Sequence, residues 1–575
     1  MTCKERIISN DYAEILVTDI LPSEYINESI DHCYHSLGNG WGIYFAERRR
    51  LTGYNMSQSS YSFTPKCYGL MEDFQAQPLE AAQNMNLNTL ALAASGILSA
   101  QEEPLGLTGN GVTVGIIDTG IRYQEPVFRD LSGRTRIVGI WDQTIQTGTP
   151  PEGFQYGSEY TKEMIDEALI SSDPLSLVPS TDANGHGSVM ASLAAGSSIE
   201  GGRFIGAAPG CQIAVVKLRE AKQYLKDYYK IPSGVPCYGE SDLLQAIQYL
   251  QKYVVPLKSP LVICLGIGTS LGDHTGGGML GNYIDYISRQ KSHVFVTACG
   301  NEGNSAHHFF GRITELQSYQ DVELRVGENE KGFVMDLWGD APYFYNAIIR
   351  SPGGEIIRWN NFRSATPQEF SFIYEKTRIL IDYQIVEAMS GAEVIRFRFS
   401  DPTEGVWIIR INSEGNVIGG QFDIWLPITD FLSSDTHFLQ SDPHTTITEP
   451  GYVHSAVTVA NYQIVNNSIA PTSGRGFARD NYIVPEIAAP GVDVSTPFGE
   501  RSGTSVAAAI TAGGCAQLME WAVVRQNDVI ANSINIKNYL IRGATRENYL
   551  EYPNREWGYG RLNISGVFEF LAGLG

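Results

Sequence analysis

The chain has 575 residues and a mass of 63.2 kDa, enough for several folding units, and it carries 63 acidic against 41 basic residues for a formal charge of -22. That balance excludes a general grip on phosphate backbones, which needs concentrated positive charge, so no nucleic-acid partner is expected. The 59 glycines and 30 tyrosines point toward many turns and strands rather than a helical bundle.

The opening MTCKERIISNDYAEILV has polar residues where a secretory signal needs an apolar run, and no later stretch reads as a bilayer-crossing helix. A soluble protein made in the cytoplasm, with no membrane partner, is expected. Strand-like runs at Tyr12 to Val17 and Trp41 to Ala46 surround helix-compatible spacing from Glu28 to Cys33, which suggests a small compact α/β unit over residues 1-75. It ends in the more extended YSFTPKCYGLM, where Pro65 disfavours helix. The eight cysteines, Cys3, Cys33, Cys67, Cys211, Cys237, Cys264, Cys299 and Cys515, are widely spaced with no close CxxC pair, so free buried thiols are expected.

From GLTGNGVTVGIIDTG onward the texture changes. VTVGII at 112-117 is the nearly continuous apolar run of a strand covered on both faces, and Asp118 falls at its carboxyl end, where α/β sheets place reacting groups. His186 opens the helix-compatible SVMASLAAG, CQIAVVKL at 211-218 reads as a strand, and SDLLQAIQYLQKYV at 241-254 reads as an amphipathic helix. LVICLGIG at 261-268 and HVFVTACGN at 293-301 are two further buried strands, giving an α/β fold with a mostly parallel sheet covered by helices. Residues 310-445 instead carry short strand-like runs such as ELRVG, GFVMDLWG and GVWIIRINS, as expected of an inserted antiparallel β-sandwich. The α/β pattern resumes at VHSAVTVAN, 453-461.

Four fragments carry candidate chemistry. Ser505 stands at the start of the small-residue helix SVAAAITAGGCAQLM, His186 lies between glycines in NGHGS, Asp118 heads DTG, and Asn301 follows a strand in GNEGN. Singly, each has a plain structural reading as a cap or turn residue. Together they supply nucleophilic acyl transfer: Ser505 attacks, His186 takes and returns the proton, Asp118 orients the imidazole, and Asn301 donates to the tetrahedral oxyanion. His307 and His308 lack the carboxylate spacing of a metal site and read as a loop pair.

These motifs, in the order Asp, His, Ser, resemble those of the subtilisin-like serine proteases, in particular the clostridial spore-germination proteases. GTSVAAA departs from the usual GTSMASP, with Ala508 and Ala509 at the Ser and Pro positions, so altered packing at the helix start is expected. The resemblance implies a subtilisin-like core, a prodomain at 1-75, a catalytic domain at 76-309 and 446-575, and a jelly-roll-like insertion at 310-445. It also implies a substrate-binding strand at Cys264, Leu265 and Gly266, with Thr297, Ala298 and Cys299 as a second pocket wall.

The function so implied is that of a serine endopeptidase acting through an acyl-enzyme on protein or peptide substrates. It would remove its own prodomain by a cut between 65 and 85 and would keep that segment as a partner. No cofactor is required; the resemblance admits calcium, without a legible oxygen cage, and admits packaging in a spore. The competing class is a non-enzymatic receptor or scaffold with a protease fold, which would often lose a triad member, whereas Asp118, His186 and Ser505 are all retained.

Overall fold

The computed structural model describes residues 1–18, 33–49, 63–71, 87–199, 201, 203–359, 367–414 and 419–573. The amino-terminal unit is built from the helix Cys3–Ile8 and three antiparallel strands in the order Tyr12–Val17, Trp41–Glu47, Cys33–Gly38. The helix starts because Thr2 accepts from the Glu5 amide while the Glu5 carboxylate reaches back to the Thr2 amide, so two otherwise orphaned donors are satisfied. Of the helix expected over 28–33, residues 28–32 lie outside the described residues and Cys33 begins a strand. Cys33 is joined to Cys3 by a disulfide, which corrects the expectation of free thiols for this pair; the other six cysteines are free and buried.

The central sheet takes its strands in the spatial order Ser468–Ile469, Val457–Gln463, His293–Ala298, Leu261–Leu265, Thr113–Asp118, Gln212–Lys217, Ile137–Asp142 and Ser158–Thr161. Ile487–Pro490 also pairs with Val457–Gln463. Only the first and last pairings on this path are antiparallel; the inner strands run parallel. The inner strands are buried along their whole length because helices cover both faces, which is why they read as apolar runs.

On one face lies the helix Thr504–Met519, every residue of which is buried. Its small residues permit close approach to the helix His186–Ala195: a Cβ on Gly513 would stand 2.5 Å from the Ala194 carbonyl. Ala508 and Ala509 both lie in that core. The segment Thr504–Val524 is long and apolar enough to cross a membrane, contrary to the sequence expectation, and 89% of its apolar window is buried inside the protein.

Among the described residues, those from His308 to Phe438 form two antiparallel sheets, of six and five strands, that close on a core including Phe333, Phe399, Trp407 and Tyr345. The pair is seated firmly on the α/β unit. Asp336 and the buried Arg396 make a two-pronged ion pair at 2.8 Å, with the guanidinium 5.3 Å from the ring centre of Tyr229. Trp425 is stacked between His274 and His308, at 3.7 and 4.7 Å between ring centres.

Candidate active site

Asp118 is the last residue of its strand and His186 the first of its helix, and a third carboxylate holds these two ends together. Asp182 Oδ1 accepts from the Thr119 hydroxyl and the Gly185 amide, both at 2.8 Å, while its Oδ2 accepts from the Ser188 amide at 2.8 Å and hydroxyl at 2.6 Å. Asp182 thus satisfies free amides at the helix start and clamps the DTG turn against it. Gly185 has φ of +94°, and a Cβ on Gly187 would stand 2.2 Å from the Gly120 carbonyl, so glycines on both sides of His186 are required.

The result is a continuous hydrogen-bonded line. His186 Nδ1 lies 2.8 and 2.9 Å from the two Asp118 oxygens, and His186 Nε2 lies 3.1 Å from Ser505 Oγ. Asp118 Oδ1 also accepts the Thr119 amide at 2.7 Å. All three side chains are buried. An imidazole held this way on a carboxylate presents its other nitrogen to the hydroxyl and can take its proton.

Asn301 is half-buried at the end of the strand His293–Ala298 and its following turn. Its Oδ1 accepts from the Thr504 amide at 3.1 Å and the Thr504 hydroxyl at 3.0 Å. That orientation fixes the carboxamide on the residue before Ser505 and leaves its NH2 group as its donor.

The space in front of Ser505 is filled by the amino-terminal segment. The strand Cys67–Leu70 lies between Ile267–Gly268 and Tyr238–Gly239, antiparallel to both. One residue further, Met71 donates its amide to the Gly266 carbonyl at 2.9 Å, and its own carbonyl accepts the Ser505 amide at 3.3 Å. The Met71 sulfur accepts the Thr448 hydroxyl at 3.6 Å. Thr448 also abuts Gly268 and Gly300, where a Cβ would meet its Oγ1 at 2.3 and 2.5 Å, so glycines leave room for the threonine that holds Met71.

Leu70, Met71 and Asn301 line a cleft of about 310 Å³ whose far wall, Ile428, Thr429 and Leu432, comes from the inserted β unit. Glu302 fixes that wall by accepting the Thr429 amide at 2.9 Å and hydroxyl at 3.1 Å.

Asp118, His186, Ser505 and Asn301 are therefore brought together, and Gly266 contacts the bound segment through its backbone. The other expected pocket residues are placed differently. Cys264, Leu265, Ala298 and Cys299 have their side chains in hydrophobic cores, and Thr297 is buried with its hydroxyl on Thr458. The strand that pairs with the bound segment is Ile267–Gly268, one step beyond the expected Cys264 to Gly266. Asp182, Thr448 and Met71 were not singled out from the sequence; only Asp182, four residues before His186 at a helix start, carried a local signal there. His307 and His308 bond Glu302 and Asp423, and no cluster suited to a metal ion exists among the described residues.

A model of the Subtilase family matches residues 109–321 and 404–560, leaving out most of the inserted β unit. The solved CspB protease of Clostridium perfringens is 31% identical, with a TM-score of 0.73, covering 84% of this chain and 99% of that one. A subtilisin-like protease of Arabidopsis thaliana, SBT3.6, is 23% identical over 479 residues, 71% of this chain and 56% of that protein. The chain thus spans little more than half the length of that curated relative.

Proposed function

We propose that this chain, which belongs to the subtilase family, is a serine endopeptidase that cuts its own backbone between Met71 and Glu72 and keeps the amino-terminal piece in its cleft. The observation that carries this reading is the Met71 carbonyl on the Ser505 amide, with the preceding strand paired on both edges. An extended segment delivered to a serine through backbone hydrogen bonds, with its carbonyl on a helix-start amide, has the disposition of a peptide at the point of acyl transfer.

In that mechanism His186 Nε2 takes the Ser505 proton as Oγ attacks the Met71 carbonyl carbon. The oxyanion receives the Ser505 amide and the Asn301 carboxamide. Asp118 keeps the imidazole in the tautomer that accepts at Nε2 and balances its charge once protonated. The imidazolium then protonates the leaving amine of Glu72, the acyl bond to Ser505 forms, and water activated by the same imidazole releases the Met71 carboxylate. No cofactor enters any step.

That cut falls just inside the end expected for the prodomain at 1-75; the catalytic domain at 76-309 and 446-575 and a jelly-roll-like insertion at 310-445, which lends one wall to the cleft, complete the proposed division. The expected cut between 65 and 85 is narrowed to one bond. Other proteins or peptides are the substrate class, and the motif resemblance to germination proteases favours a spore setting with another zymogen as target.

Intact-mass analysis tests the reading. Purified wild type is expected to contain two co-purifying fragments, residues 1–71 and 72–575, and Ser505→Ala a single full-length chain. Scission at Met71 in pure Ser505→Ala would remove self-cleavage.

A further inference from the structure

Besides the strand Cys67–Leu70, the amino-terminal unit meets the α/β domain at a second place, and there it presents a carboxylate. Glu14 lies in the strand Tyr12–Val17 with its side chain buried. Among the described residues, every hydrogen-bond and ion-pair partner of that carboxylate lies across the proposed cut. Its Oε1 is 2.9 Å from Arg219 Nη2 and 3.4 Å from Lys222 Nζ, and its Oε2 accepts the Tyr224 hydroxyl at 3.4 Å. The same hydroxyl accepts the Glu14 amide at 2.8 Å.

Arg219 is aimed by its own domain. Its Nε lies 2.9 Å from both oxygens of Asp242, which also accepts the Tyr156 hydroxyl at 2.6 Å, and the guanidinium carbon stands 4.9 Å from the Tyr156 ring centre. The two Nη groups are left for the amino-terminal unit: Nη1 donates to the Ile7 carbonyl at 2.9 Å, and Nη2 to Glu14. Lys222 donates to the Arg6 carbonyl at 3.3 Å and the Tyr12 carbonyl at 3.0 Å, beside the same carboxylate. Arg6 and Ile7 stand in the last turn of the helix Cys3–Ile8, whose carbonyls have no helix amide left to accept. The unit thus offers a negative surface, two helix-end carbonyls and a carboxylate, to two cations. Burial lowers the Lys222 pKa and the Glu14 charge raises it, so the carboxylate offsets part of the cost of enclosing the ammonium.

We propose that Arg219 and Lys222 form a carboxylate-accepting docking site whose occupant is the amino-terminal unit, seated through Glu14, and that this site governs how fast residues 1–71 leave once the chain is cut. It rests on the proposed endopeptidase reading and adds to it the control of release. Ser505 makes the cut, and an ion cluster to which Ser505 contributes nothing sets the departure of the piece. Separation removes the partners of Glu14, of Lys222 and of the Arg219 Nη groups together, and a buried charge pair across an interface acts chiefly on the dissociation rate. The cluster is balanced, Glu14 and Asp242 against Arg219 and Lys222. Removing one charge therefore leaves another buried and uncompensated, whereas removing one of each sign restores the balance.

The test uses the processed protein, held on a resin by a tag at its carboxyl terminus, with release of residues 1–71 followed over time by mass spectrometry. Glu14→Gln and Lys222→Met are each expected to release that piece at least about tenfold faster than wild type. The double variant is expected to fall short of the product of the two single effects by at least about tenfold. Where Glu14→Gln does not fold, the release rate of Lys222→Met decides alone. Release at the wild-type rate from either single variant, or single effects that simply multiply in the double variant, overturns the docking site and leaves the endopeptidase reading standing. A wild type that stays one uncut chain counts against that reading itself, and the docking site falls with it.

Discussion

Replacing Asn301 separates two jobs that its carboxamide does at once. Its Oδ1 accepts the Thr504 amide at 3.1 Å and hydroxyl at 3.0 Å at the buried start of the helix Thr504–Met519, while the proposed mechanism gives its NH2 the oxyanion. Asn301→Ala removes both the donor and the acceptor. Loss of one oxyanion donor raises the barrier by about 3 kcal/mol, a rate loss between about a hundredfold and a thousandfold. Loss of the acceptor strands the buried Thr504 amide and costs about 1 to 3 kcal/mol of folding free energy. Asn301→Asp keeps the acceptor and substitutes an anion for the donor, so it is expected to fold as well as wild type and to be at least as slow as the alanine variant. Covalent labelling by a fluorophosphonate and the time course of Met71 scission report the rate, and urea unfolding reports the stability. Processing by Asn301→Asp within about twofold of wild type would refute the assignment of Asn301 to the oxyanion.

Gly266→Ala would place a Cβ 2.9 Å from His186 Cε1 and 3.1 Å from Ser505 Cβ, so it should cut fluorophosphonate labelling at least about a hundredfold through displacement of either side chain; undiminished labelling would show that the backbone yields there. Glu393 gives a pH signature in the inserted unit. Burial pushes its carboxyl up to about 8, although the Tyr345 amide at 3.3 Å works the other way. The folded state therefore holds a proton that the unfolded chain has lost above about pH 4.3, and stability falls as pH rises from there to about 8, by a few kcal/mol at most. Glu393→Gln should leave stability near wild type at pH 5 and raise it at pH 9, read from urea midpoints, and an unchanged pH dependence would rule out Glu393 as its source.

How much of this was legible depends on whether the signal is local. The inner strands of the sheet announce themselves because both faces are covered, so TVGIID and LVICL must be apolar throughout. That same fact governs the side chains of the expected pocket walls. A strand buried on both faces has no side chain to offer a substrate, so Cys264, Leu265, Thr297 and Ala298 point into cores and the cleft begins only where the chain leaves the sheet, at Gly266 to Gly268. The Thr2 to Glu5 capping pair was a local signal that went unread in the sequence. The Cys3–Cys33 bridge spans 30 residues, and such a pairing has no local signal at all.

The amino-terminal segment is the strongest case of a role fixed only by distant partners. YSFTPKCYGLM reads as an extended stretch, and nothing in those letters distinguishes Met71 from Leu70 as the residue delivered to Ser505. The distinction comes from register: Leu70 pairs with Ile267, Gly69 with Gly268, and the chain therefore reaches Gly266 and the Ser505 amide at Met71. Shifting the pairing by one residue would put Leu70 at that carbonyl position and would also take the Lys66 amide off the Glu240 carboxylate. Because the sulfur of Met71 on Thr448 and the amide of Lys66 on Glu240 are satisfied in the same register, each end of the strand enforces the position of the other. The residue whose carbonyl meets the Ser505 amide is thus specified by contacts at both ends of a six-residue stretch, Lys66 to Met71, rather than by Met71 alone.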